Sequence, residues 1–284
     1  MKMKKLLLIL AVFLATYNIS AQVQTPAPSP FSKIEQKVGL TDVTLEYSRP
    51  NMRGRSIFGD LVPYGKVWRL GANANTKITF STEATIGNTT LKAGEYAIYA
   101  IPNKKSWDIV FYSDANNAGL PKKWDESKVV AKVSSEVYKM PVKIETFTIT
   151  FDDLTSSSAV IGMLWEDVYV GVKFTVPTDQ LVSKSIDKVM NGPSGNDYYA
   201  AAAYYLEEGK DIKQAKIWID KAIDMAGDKA PFWQLRRQAL IYAKAGDKKG
   251  AIKAAKKSLE KAEAAGNADY VKMNKDSLKE WGAM

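Results

Sequence analysis

Between Ser48 and Thr76 the chain gathers Arg49, Arg53, Arg55 and Arg69 among Gly, Pro, Phe, Tyr and Trp residues. A guanidinium is planar, permanently charged and forks onto carboxylate, sulfate or phosphate. Trp68 beside Arg69 adds a flat ring suited to a sugar face, and Asn73 adds an amide. One reading is an anion- or glycan-binding pocket on a loop carried by a rigid sheet, with Arg49, Arg53, Arg55, Trp68, Arg69 and Asn73 as candidate ligand-binding residues. The other is internal. Arg49, Arg55 and Arg69 would pin a long loop by bonding its own carbonyls and carboxylates, with Trp68 in the core.

The chain has no histidine and no cysteine. Serine–histidine triads, histidine zinc sites, thiol catalysis and disulfides are therefore excluded. Acid–base chemistry would fall to carboxylates, Lys or Tyr, which leans the reading away from an enzyme and assigns no catalytic residue. Asp152-Asp153 and Glu166-Asp167 read as turn residues, the latter pair between two strands. Adjacent acids on a strand face opposite ways, so neither pair makes an acid–base couple by itself. Asp114 with Asn116 and Asn117 lacks the alternating acids of a calcium loop, and Gly54, Gly59 and Gly65 do not precede a helix as in a nucleotide loop. No metal and no cofactor is expected. The enzyme alternative is a hydrolase of glycans or peptides using carboxylates drawn from separated strands.

The elements that must position the arginines are strands. Val43, Leu45 and Tyr47 alternate with polar residues, as do Trp107, Ile109 and Phe111, then Phe147, Ile149 and Phe151, then Val168 through Val176. Gly87-Asn88, Ala93-Gly94, Pro102-Asn103 and Asp152-Asp153 mark turns. Short strands with no helical pattern between them predict an all-β antiparallel sandwich over residues 31–176. Within the Arg block, Arg49-Pro50 reads as extended and Arg53-Gly54-Arg55 as a turn. Ile57, Phe58, Leu61 and Val62 read as anchors onto the sheet. A groove shared by Trp68 and Trp124 is a further possibility.

From residue 177 onward Ala, Lys and Leu take over with helical spacing, so the whole is α+β. Thr178 or Asp179 caps a helix ending near Asn191-Gly192-Pro193, and Asn196 or Asp197 caps the next. Further helices read at about 211–226, 231–245, 247–265 and 268–281. Gly209, Ala215, Ala222 and Ile223 align with Gly246, Ala251, Ser258 and Leu259, with Tyr205 and Tyr242 ahead of the two glycines. Helix, Gly turn, helix with small contact residues is similar to tetratricopeptide hairpins, an ordinary helical bundle being the alternative. Tyr198, Tyr199, Tyr204 and Tyr205 suit either a small concave partner face or helix packing.

The N-terminus gives the location. Met1–Lys5 is basic, Leu6–Ala15 apolar, and Ile19-Ser20-Ala21 ends small-x-small, the pattern of a cleaved secretory signal over residues 1–21. No cysteine follows, so no lipid anchor is expected, and residues 22–30 read as a Pro-rich linker. The expected protein is exported, periplasmic or secreted, soluble, and without a membrane span once cleaved. The formal charge of +9 at pH 7 falls to +6 when Lys2, Lys4 and Lys5 leave with the signal. That excess is scattered, which argues against nucleic acid and leaves an anionic glycan or small ligand, and a protein at the helices, as candidate partners.

Ser48-Arg-Pro, Arg53-Gly-Arg, Ile57-Phe-Gly, Leu61-Val-Pro-Tyr-Gly, Val67-Trp-Arg and Gly71-Ala-Asn together resemble a bacterial exported family, domain of unknown function 2911. Leu91-Lys-Ala-Gly-Glu-Tyr96, Ile101-Pro102 and Trp165-Glu166 look like its later landmarks. The resemblance covers about residues 31–176. It implies export and a helical region after the domain, and brings no activity or ligand with it.

Overall fold

The alternating segments become strands in the computed structural model, which describes residues 25–284. The signal read at residues 1–21 lies outside the described residues. In chain order the strands are β1 (Phe31–Val38), β2 (Thr41–Ser48), β3 (Thr76–Phe80), β4 (Ala84–Ile86), β5 (Thr89–Leu91), β6 (Gly94–Pro102), β7 (Ser106–Tyr112), β8 (Val129–Asp152) and β9 (Ser158–Thr175). They form one nine-stranded sheet in the order β1-β2-β3-β6-β7-β8-β9-β4-β5, and every pairing is antiparallel.

Strand β8 is what folds this sheet on itself. Its first part, to Glu136, pairs with β7; from Val137 onward it pairs with β9, with register shifts between Lys139 and Ile144 and between Ile144 and Thr148. Such bulges bend and twist a strand. The bend brings the chain after β2 back against β8: Met52 N–H donates to Glu145 O at 2.8 Å and Phe147 N–H to Pro50 O at 2.9 Å. The two halves enclose one core, in which Phe80 of β3 meets Phe174 of β9 at 5.5 Å between ring centroids. Val168, Val170, Val172, Phe174 and Val176 are all buried, as strict alternation on a one-sided strand requires. Each such side chain contributes about 1.5–3 kcal/mol by leaving water.

Glu166-Asp167 does not form a turn. Both lie inside β9, and Glu166 takes the left-handed conformation (φ 54°) opposite Ile144, where β8 shifts register. Alternation is locally broken there, which is why two strands were read for one.

The chain divides after Thr178 into two units. The second holds the helices: α1 (Thr178–Val189), α2 (Gly195–Glu207), α3 (Ile212–Ala226), α4 (Phe232–Lys244), α5 (Lys248–Ala264) and α6 (Ala268–Glu280). Ser194, not Asn196 or Asp197, caps α2: its hydroxyl accepts from Asp197 N–H while the Asp197 carboxylate accepts from Ser194 N–H, a reciprocal capping box. Gly209 and Gly246 both take positive φ, 64° and 82°, ending α2 and α4. Ala215, Ala222, Ala251 and Ser258 are fully buried where helices touch. Tyr199 and Tyr205 pack around Ala202, Ile219 and Ile241, so these two tyrosines serve helix packing. Among the described residues no helix is long and apolar enough to cross a membrane.

Candidate functional site

The segment from Arg49 to Asn75 runs between β2 and β3 and is held at both flanks. Trp68 exchanges backbone hydrogen bonds with Ala100 of β6, at 2.7 and 2.9 Å. Ile57 and Val62 are buried in the main core and Phe58 packs on it, as read from sequence. Leu61 is not an anchor. It is 43% exposed and lines a cavity instead. The turn at Gly71 is forced: its φ is 142°, and a Cβ there would stand 2.8 Å from Ser48 O. Leu70 and Asn73 flank it with φ of 57° and 58°, and Arg53 has φ 52°. Left-handed non-glycine residues each carry strain that the surrounding bonds must hold.

The four arginines have different fates. Arg49 is structural: Nε donates to Phe147 O at 3.1 Å and Nη2 to Thr148 Oγ1 at 2.7 Å, tying β2 to β8. Arg55 folds back on its own loop, onto Met52 O at 2.9 Å and Asn51 O at 2.7 Å. Among the described residues the Arg53 guanidinium gives only Nη2 to the protein, onto Pro28 O at 2.8 Å. Arg69 is the exception. Its Nε is buried with no hydrogen-bond partner among the described residues. Gly119 lies against this side chain, a Cβ there being 3.5 Å from Arg69 Nη1, an ordinary contact. Among the described residues the arginine found in an ion pair is Arg237, with Glu207 at 2.8 Å; none of these four has a carboxylate partner.

Arg53, Arg55 and Arg69 line one cavity of about 390 Å³, and Arg49 does not. Trp68 and Trp165 supply its aromatic wall, stacked at 5.8 Å and 17°. Pro28 and Ser29 close another side, and among the described residues no acidic one lines it. Asn73 stands behind the wall: its amide donates to Ser29 O and Ser48 Oγ, both at 3.2 Å, and so acts as a brace. Three guanidinium groups therefore share one partly dry space with no internal counter-charge, an arrangement that attracts anions.

Trp68 and Trp124 do not share a groove. Trp124 packs with Tyr99 and Tyr112 in a separate cluster, while Trp68 packs against the main core. Burial pushes the Tyr99 hydroxyl up to about 12. Asp114 binds Lys128 Nζ at 2.9 Å, and the hydrogen bond from that lysine holds its carboxyl below the ordinary range.

A second cavity, of about 500 Å³, lies across the Arg53–Ser56 turn, and Arg55 lines both. Lys143, Glu145 and Glu166 line its far side. Glu145 Oε1 accepts Arg53 N–H at 2.8 Å and Glu166 Oε2 accepts Ile57 N–H at 3.4 Å, so both carboxylates hold the turn by its backbone. Sequence reasoning missed Glu145, Asn51 and the wall of Pro28 and Ser29, and read Trp165 as core or rim without placing it at the site.

No curated protein and no solved structure matches this chain. A family model described as "Protein of unknown function (DUF2911)" matches residues 29–174, which takes in the sheet but for Thr175, the Arg block and, Pro28 apart, the lining of both cavities. The chain belongs to that family.

Proposed function

We propose that this chain is an exported binding protein without catalytic activity, and that the Arg/Trp cavity takes a small anion or the acidic end of a glycan. One observation carries the reading: among the described residues Arg53, Arg55 and Arg69 line a cavity with no acid, and Arg69 has a buried nitrogen with no partner. A buried polar group left unbonded costs about 1–3 kcal/mol and more when charged, which a bound anion would offset. The basic, apolar, small-x-small N-terminus supports export. The matched left-handed Gly209 and Gly246, with small buried residues after each, support tetratricopeptide-like hairpins that contact a protein. The test is a binding screen of small anions and glycan fragments against the protein and Arg69→Ala. Binding that disappears in the variant, with the melting temperature kept, supports the reading; a melting temperature that collapses with no ligand found refutes it.

A second reading rests on Glu145 of β8 and Glu166 of β9, which come from separate strands to one cavity beside Arg55. A hydrolase needs such a facing pair. Both carboxylates here already accept backbone N–H groups, which favours a holding role. Turnover of aryl glycosides or peptides that is lost in Glu166→Gln would reverse the order of the two readings.

A further inference from the structure

We propose that the group held in the Arg/Trp cavity is a doubly charged tetrahedral oxyanion, a phosphate monoester on a flat or apolar body; this deepens the binding reading above and rests on it. The first argument is charge. Arg53, Arg55 and Arg69 line the cavity, no Asp or Glu does, and none of the three has a carboxylate partner among the described residues. A single carboxylate would leave most of that field unneutralised, whereas a dianion answers more of it at the same contact distance.

The second argument is donor geometry. Among the described residues Arg53 keeps Nε and Nη1 free after Nη2 meets Pro28 O, Arg55 keeps Nη1 free, and Arg69 Nε has no acceptor. These donors come from three separate backbone positions. A planar carboxylate offers its oxygens in one plane to one fork, while a phosphate offers three oxygens in a tetrahedral spread. The third argument is size and wall. About 390 Å³ exceeds the needs of an inorganic ion and falls in the usual range for organic ligands. The stacked Trp68 and Trp165, with Val62 and Pro50, give that extra space an apolar lining.

The proposal makes a pH signature. Arginine stays charged throughout, and the cavity holds no histidine or carboxylate. The charged groups nearest the turn, Glu145, Glu166 and Lys143, face the other cavity. A phosphate monoester loses its second charge as pH falls through about 6, whereas a sulfate monoester keeps one charge on both sides of it. Any protein-side titration would act on both esters alike.

Calorimetric titration of the purified protein with phenyl phosphate, phenyl sulfate, benzoate and inorganic phosphate tests this. At about pH 7.5, phenyl phosphate should bind about tenfold or more tighter than benzoate or phenyl sulfate, and tighter than inorganic phosphate. Going to about pH 5 should weaken phenyl phosphate severalfold and leave phenyl sulfate unchanged. Arg69→Ala, and separately the exposed Arg53→Ala, should each remove most of the phenyl phosphate affinity. Benzoate or phenyl sulfate binding as tightly as phenyl phosphate, still dependent on Arg69, would overturn the dianion and leave an anion cavity standing. Inorganic phosphate binding equally well would overturn the apolar body. No binding by any probe, or binding indifferent to both variants, would overturn this proposal together with the cavity's proposed function.

Discussion

Glu145 Oε1 accepts the amide N–H of Arg53 at 2.8 Å, while the Arg53 guanidinium turns to the carbonyl of Pro28, also at 2.8 Å. Two residues of opposite charge thus meet through the backbone and not through an ion pair. The carboxylate fixes where the turn sits, and the guanidinium stays available to the cavity. Arg69 stands opposite in the same cavity with a buried nitrogen unbonded. A network meant only to hold the loop would spend these charges internally, as Arg49 does on β8.

Glu145→Ala removes the acceptor for the Arg53 amide, an exposed bond whose loss should cost about 0.5–1.5 kcal/mol. Glu145→Gln keeps a carbonyl oxygen there and should cost less. Urea denaturation reads the difference, and anion affinity should follow the same order as the turn loosens. Equal effects of the two substitutions would mean that charge, not the hydrogen bond, sets the turn.

Gly71 and Gly54 both have positive φ, 142° and 70°, yet their substitutions should differ. A Cβ at position 54 meets nothing within 4 Å, so Gly54→Ala should cost only its conformational strain, about 1 kcal/mol. A Cβ at position 71 would collide with the Ser48 carbonyl, so Gly71→Ala should cost about 1–3 kcal/mol more and displace Arg69 and Asn73. Paired denaturation curves decide it.

Elements governed by neighbours in sequence were legible in advance. The alternation from Val168 to Val176 and the helix read at about 211–226, found at Ile212–Ala226 behind an Asp211 cap, follow from side-chain period and local composition. Asn196 and Asp197, two and three residues after the true cap, are also good caps, and only the reciprocal bonds of Ser194 and Asp197 decide for Ser194. The Arg block could be singled out, but not sorted. That Arg49 bonds to β8 while Arg69 lines a cavity with Trp165 depends on Phe147, Thr148 and Trp165, far along the chain. The fold of β8 that delivers Glu145 and Trp165 to the block arises from bulges, which leave no periodic trace.

Trp165 is 2% exposed and donates Nε1–H to Glu145 O at 3.1 Å, besides stacking on Trp68. Trp165→Ala should lower stability by about 3–5 kcal/mol through the void it leaves. Trp165→Phe should cost less and still weaken binding of an aromatic ester. Stability unaffected by Trp165→Ala would place this ring outside the core.

The Tyr99 hydroxyl is raised from 10.0 to about 12, burial being the main cause, with Asn117 opposing. The folded state then keeps a proton that the unfolded chain gives up first. The contribution is complete below about pH 10 and is lost as pH rises from about 10 to about 12. Tyr169 and Tyr242 are raised too, each by burial first, so Tyr99→Phe should lessen but not abolish the alkaline loss. Denaturation midpoints across that window, in both proteins, measure it. An unchanged slope in Tyr99→Phe would remove Tyr99 from the account.

Arg49→Ala and Arg69→Ala, compared for melting temperature and anion affinity, probe the division of labour among the arginines. Arg49→Ala should lose about 1–3 kcal/mol of stability, since it breaks two bonds to β8, and should bind phenyl phosphate as before. Arg69→Ala should melt at or above the parent temperature and lose about tenfold or more in affinity. An Arg69→Ala protein that melts early and binds as well as the parent would contradict the claim that Arg69 is there for a ligand.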